Sequence, residues 1–124
     1  MSFMIRLAML ACLCVGPQAI AHGDVVPKHG GIVKVSKDLT FELVIGANAA
    51  VVYVEDHGRA VPTAGMSGRL TALQGLKTSE AVLKSGGKNR LDAAGIAIAS
   101  GSKVLAKITL PDGTKTFNVW FTVP

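Results

Sequence analysis

From Gly31 onward the chain alternates apolar and polar residues with a period of two rather than 3.6. Phe41, Leu43 and Ile45 alternate with Thr40, Glu42 and Val44, and Val104, Ala106, Ile108 and Leu110 alternate with Lys103, Leu105, Lys107 and Thr109. The last run is the clearest, with Phe117, Val119, Phe121 and Val123 on one face and Thr116, Asn118, Trp120 and Thr122 on the other. Successive side chains of a strand point to opposite faces, so each run reads as a strand with one face in a core. Leu105 and Trp120 are apolar exceptions on the polar side.

Turn chemistry separates these runs. Pro111-Asp112-Gly113-Thr114 presets φ at Pro and tolerates positive φ at Asp-Gly, which predicts an antiparallel hairpin between the last two strands. Similar signals stand at Gly46-Ala47-Asn48, Asp56-His57-Gly58-Arg59, Gly86-Gly87-Lys88-Asn89 and Ser100-Gly101-Ser102. Strands are predicted near 31–36, 39–46, 50–55, 68–74, 78–84, 89–94, 103–110 and 115–123. The Ala-rich piece Leu91–Ser100 has room for a helical turn, but Gly95 and Ile96 oppose a long helix. Seven or eight short antiparallel strands with regularly spaced turns predict an all-β fold, a single Ig-like β-sandwich.

The first residues follow a different logic. Arg6, the apolar run Leu7–Val15 and Ala19-Ile20-Ala21 directly before His22 form an export signal with a small-residue cleavage site, residues 1–21. The run is shorter than the roughly 20 residues that span a bilayer. The expected product is therefore a periplasmic protein that starts at His22 and has no transmembrane segment. Met9-Leu10-Ala11 before Cys12 is a poor lipoprotein box, because too little apolar sequence precedes it. Residues 22–30, with Gly23, Pro27 and Gly30, read as a flexible arm, and residues 31–124 as the sandwich domain.

Composition narrows the chemistry. Both cysteines, Cys12 and Cys14, lie in the signal, so the exported body has no thiol for a bridge, a soft metal or nucleophilic attack. The formal net charge of +5 is spread along the chain, with no basic stripe interleaved with aromatics, and nucleic acid is not an expected partner. There is no Gly-x-Ser-x-Gly elbow, no His-Glu-x-x-His and no phosphate-cradling glycine loop followed by Lys-Ser or Lys-Thr. Glu55 and Asp56 are adjacent strand residues on opposite faces and so do not form a proton-sharing dyad. The chain is not read as an enzyme.

Candidate chemistry lies in the histidines. His22, His29 and His57 all fall in the arm or in a turn. A terminal His22 offers its α-amine and imidazole to one ion, Asp24 adds a carboxylate, and Asp56-His57 supplies a further pair from the turn after the third strand. Amine and imidazole suit Cu(II). The metal candidates are therefore His22, Asp24, His29, Asp56 and His57, provided the arm lies beside that turn. Imidazole must be neutral to ligate, so such a site should weaken below about pH 6. Against this stand ordinary readings: Asp56-His57-Gly58 is also a solvated turn, and Met66 reads as a core gap-filler rather than a thioether ligand. Trp120 with Leu105 reads either as a cap on the sheet edge or as an apolar docking patch.

Pro27-Lys28-His29-Gly30-Gly31, Val52-Tyr53-Val54-Glu55-Asp56-His57-Gly58, Val61-Pro62-Thr63-Ala64-Gly65 and Gly87-Lys88-Asn89-Arg90-Leu91 resemble small exported bacterial proteins met alongside heavy-metal efflux systems. They are also similar to the β-sandwich extension of some periplasmic adaptor subunits of those pumps. The resemblance covers most of the exported chain and implies a non-enzymatic accessory domain in copper or related metal handling, with an efflux adaptor or other envelope protein as partner. A weaker likeness is to periplasmic copper-resistance carriers, to which His22 alone carries over; the Met-rich loop of their Cu(I)-carrying members is missing here. The alternative expectation is a metal-free interaction domain that docks on an envelope partner through a sheet edge or the Trp120 face, with Lys103 and Lys107 beside it.

Overall fold

The structure is a computed structural model and describes residues 25–124. The expected export signal, with both cysteines, and the candidates His22 and Asp24 lie outside the described residues. Nine strands follow one another: β1 (Ile32–Ser36), β2 (Leu39–Ile45), β3 (Ala49–Asp56), β4 (Arg59–Ala60), β5 (Ser67–Gln74), β6 (Lys77–Ser85), β7 (Arg90–Ala94), β8 (Lys103–Thr109) and β9 (Thr116–Thr122). Eight of them fall where the alternation predicts strands. The ninth, β4, is a two-residue return after the Asp56–Arg59 turn, too short for a period to register. Leu91–Ser100 forms strand and loop with no helical turn, and Ile96 is buried there.

All pairings are antiparallel, as expected, but they do not separate into two sheets. The ladder runs in one path, β1-β2-β3-β7-β6-β5-β8-β9, with β4 on β3, and the two ends β1 and β9 lie alongside each other. The architecture is thus a single, nearly closed, barrel-like sheet, which corrects the Ig-like sandwich. Curling brings the apolar faces of β2, β3 and β5–β9 inward. Phe41 of β2 meets Phe117 of β9 with ring centroids 5.5 Å apart, and Leu43, Val52, Leu70, Leu91, Val104, Ile108 and Phe121 are fully buried around them. Each large apolar side chain so buried contributes about 1.5–3 kcal/mol. Met66 is buried among them, a gap-filler as read from the sequence.

Glycine permits the tightest approach between strands. A Cβ on Gly68 of β5 would lie 2.5 Å from the Lys107 carbonyl of β8, so only a residue without a side chain fits there. The β8–β9 hairpin closes through Pro111–Thr114 as predicted, with Gly113 N–H donating to the Leu110 carbonyl at 2.9 Å and Thr114 N–H to Asp112 Oδ1 at 2.9 Å. Among the described residues no helix is long and apolar enough to cross a membrane.

Candidate functional site

Residue by residue, the arm is tied to the outer face of β2 and β3. Glu42 sits in a polar slot of the β2 alternation, yet it is buried because residues 25–31 lie over it. Its Oε1 accepts Lys28 N–H at 3.1 Å and His29 Nδ1 at 3.0 Å, and its Oε2 accepts His29 N–H at 2.9 Å and Gly31 N–H at 2.8 Å. Burial pushes the Glu42 carboxyl up, but the donors from His29, Gly31 and Lys28 together outweigh it and hold the group below its ordinary value. Three backbone N–H groups around one carboxylate make a nest for a fixed negative charge.

That carboxylate orients His29. An ionised carboxylate accepts only, so Nδ1 carries the hydrogen and Nε2 is the ring nitrogen left over. The imidazole stacks on Tyr53 of β3, centroids 3.6 Å apart and planes within 1°. Two residues along the same face of β3, Glu55 is mostly buried and takes Lys28 Nζ at 2.9 Å, while the same Nζ donates to the Gly58 carbonyl at 3.2 Å. The arm therefore does lie beside the β3–β4 turn.

The turn itself is a two-residue connection, His57-Gly58, between the paired Asp56 and Arg59. Both central residues have positive φ, +49° and +82°, as a type I′ hairpin turn requires. His57 is thus carried at the tip, with its side chain 80 % exposed, and its Nδ1 is bonded to Asp56 Oδ1. Glu55 and Asp56 point to opposite faces, as the sequence reading has it.

The five metal candidates divide accordingly. His22 and Asp24 lie outside the described residues. His29 is bound to Glu42, and Asp56 and His57 are bound to each other. Among the described residues no three His, Cys, Asp or Glu side chains gather to hold a cation.

A loop missed as a site by sequence reasoning completes the picture. Gly86–Asn89 joins β6 to β7 against His29 and Tyr53. Thr63, fully buried, fixes it: Oγ1 donates to the Arg90 carbonyl at 2.6 Å, and Thr63 N–H donates to the Lys88 carbonyl at 2.9 Å. Asn89 is held at both its main-chain carbonyl, by Val54 N–H at 3.0 Å, and its side-chain Nδ2, which donates to the Val54 carbonyl at 3.2 Å. Lys88 has φ +48°, a conformation that costs a residue with a Cβ about 1–2 kcal/mol. The Arg90 guanidinium lies 6.0 Å from the Tyr53 ring centroid and donates through Nε and Nη2 to Asp92 Oδ1. His29 of the arm, Tyr53 of β3 and the Gly86–Arg90 loop thus meet at one place on the surface, with Thr63 bracing the loop from behind. Comparison with family models, curated proteins and solved structures gave no match.

Proposed function

We propose that this is an exported accessory module associated with a metal, Cu(II), which serves a metal-efflux or resistance system of the periplasm. The observation that carries the reading is the double anchorage of Lys28 on Glu55 and Gly58. It places the arm beside the turn that bears Asp56 and His57, the condition the sequence reading set. Asp24 and His22 precede Lys28 by four and six residues, and the reading requires this short segment to fold toward His57. Asp56 on Nδ1 leaves His57 Nε2 for the ion, the arrangement in which a carboxylate orients a ligating imidazole. In this reading His22 is the anchor through its amine and imidazole, Asp24 is an oxygen donor and His57 completes the set, while His29 belongs to the tether.

The test is calorimetric titration of the exported protein with Cu(II), after its N-terminus has been fixed by intact mass. One-to-one binding that is lost in both His22→Ala and His57→Ala and kept in His29→Ala is the expected result. Binding indifferent to His22 and His57 would refute the reading. A second reading, a metal-free docking domain with an envelope partner, is favoured by Trp120, which is 49 % exposed directly opposite Leu105 on the outer face of β8–β9. Lys103 and Lys107 flank that pair on β8.

A further inference from the structure

We infer that the pocket between His29, Tyr53 and the Gly86–Arg90 loop is a binding site for a small oxyanion, a carboxylate or a phosphate group. This inference does not depend on the metal reading and involves none of its proposed ligands. The pocket is open to solvent, measures about 530 Å3 and lies where the arm, β3 and the β6–β7 loop meet. Its ionisable lining is basic or aromatic: Lys88, Arg90, His29 and Tyr53, with no carboxylate among the lining residues. Glu42 is engaged by four donors from the arm, and Asp92, which packs behind Gly86, takes Arg90 on Oδ1.

Donors remain for a ligand. A guanidinium has five N–H groups, and Arg90 directs one from Nε and one from Nη2 to Asp92. Among the described residues the Lys88 ammonium makes no ion pair. The loop is also built before any ligand arrives, because Thr63, Val54 and Asn89 fix its carbonyls and the Asn89 side chain. The backbone that carries these donors is thus ordered without a ligand, which lowers the cost of binding an anion there. The conformation of Lys88 adds an independent argument. At φ +48° glycine or asparagine would sit with less strain, and backbone strain of this kind accumulates at ligand sites. A lysine here places a cation at the pocket at the expense of local backbone stability.

The experiment is a titration of the 15N-labelled protein with inorganic phosphate and, separately, with succinate, followed by amide shifts at constant ionic strength set with sodium chloride. Saturable shifts confined to Tyr53 and residues 86–90 are expected with at least one of the two, and the responding anion identifies the source. Lys88→Gln removes the charge, and Lys88→Gly removes both the charge and the strain. Each should weaken binding about tenfold or more, and Lys88→Gly should also raise the melting temperature, which separates lost binding from lost folding. Linear shifts that chloride alone reproduces, no shift with either anion, or equal affinity in the wild type and both variants would overturn the inference.

Discussion

Glu42 shows how one side chain joins the arm to the sheet. Its carboxylate gathers four donors, and hydrogen bonds to a charged group are worth more than neutral ones. Replacing it by Gln leaves four donors facing an amide with a single acceptor oxygen, and about 2–3 kcal/mol of stability should be lost. The pH dependence has a definite sign. Glu42 is held below its ordinary 4.5, so its contribution is complete above that value and fades as pH falls through the lower folded value. The groups around it are His29 on the arm and Tyr53 and Glu55 on β3. Urea unfolding at pH 7 and at pH 3.5 should show a wild type that loses more stability on acidification than Glu42→Gln. Parallel losses in the two proteins would mean that the tether carries no such linkage.

Among the elements, the turns were more legible than the contacts between strands. His57-Gly58 and Pro111–Thr114 announce their turns through residues that accept the required φ. Gly68 sends no such signal. It sits inside a strand, its φ is unexceptional, and its need is spatial: the Lys107 carbonyl of β8 occupies the volume of a Cβ. Gly68→Ala should therefore push β5 and β8 apart and cost about 1–3 kcal/mol, the usual range for overpacking. A urea midpoint unchanged from the wild type would show that this ladder spreads without penalty. Glu42 was hidden for a related reason. The alternation marks it as outward and polar, which is correct, but outward means solvated only if nothing lies over it.

On the scale of the molecule, closing one sheet on itself removes most edge exposure, although β1 and β9 meet without ladder hydrogen bonds. The outer face then carries distinct regions: the tethered arm with the His57 turn, the basic pocket, and the Trp120–Leu105 pair. If that pair is a surface feature rather than a cap on the core, Trp120→Ser should change unfolding stability by less than about 1 kcal/mol. A loss of several kcal/mol would make Trp120 structural and remove the observation behind the docking reading.

The sequence by itself determined the class of fold, the strand positions and the faces that form the core, because a period of two and turn residues are local properties written in neighbouring positions. It also singled out the Asp56–Arg59 turn. Tertiary structure alone decided that the strands join in one continuous sheet rather than two, since strand pairing depends on curvature and long-range register. It alone decided that Glu42 takes His29, that Lys28 lies on the turn of His57, and that Arg90 stands over Tyr53 with Lys88 lining the same pocket. Those residues are separated by 13 or more positions in the chain, and no local pattern records which distant backbone will cover a polar slot.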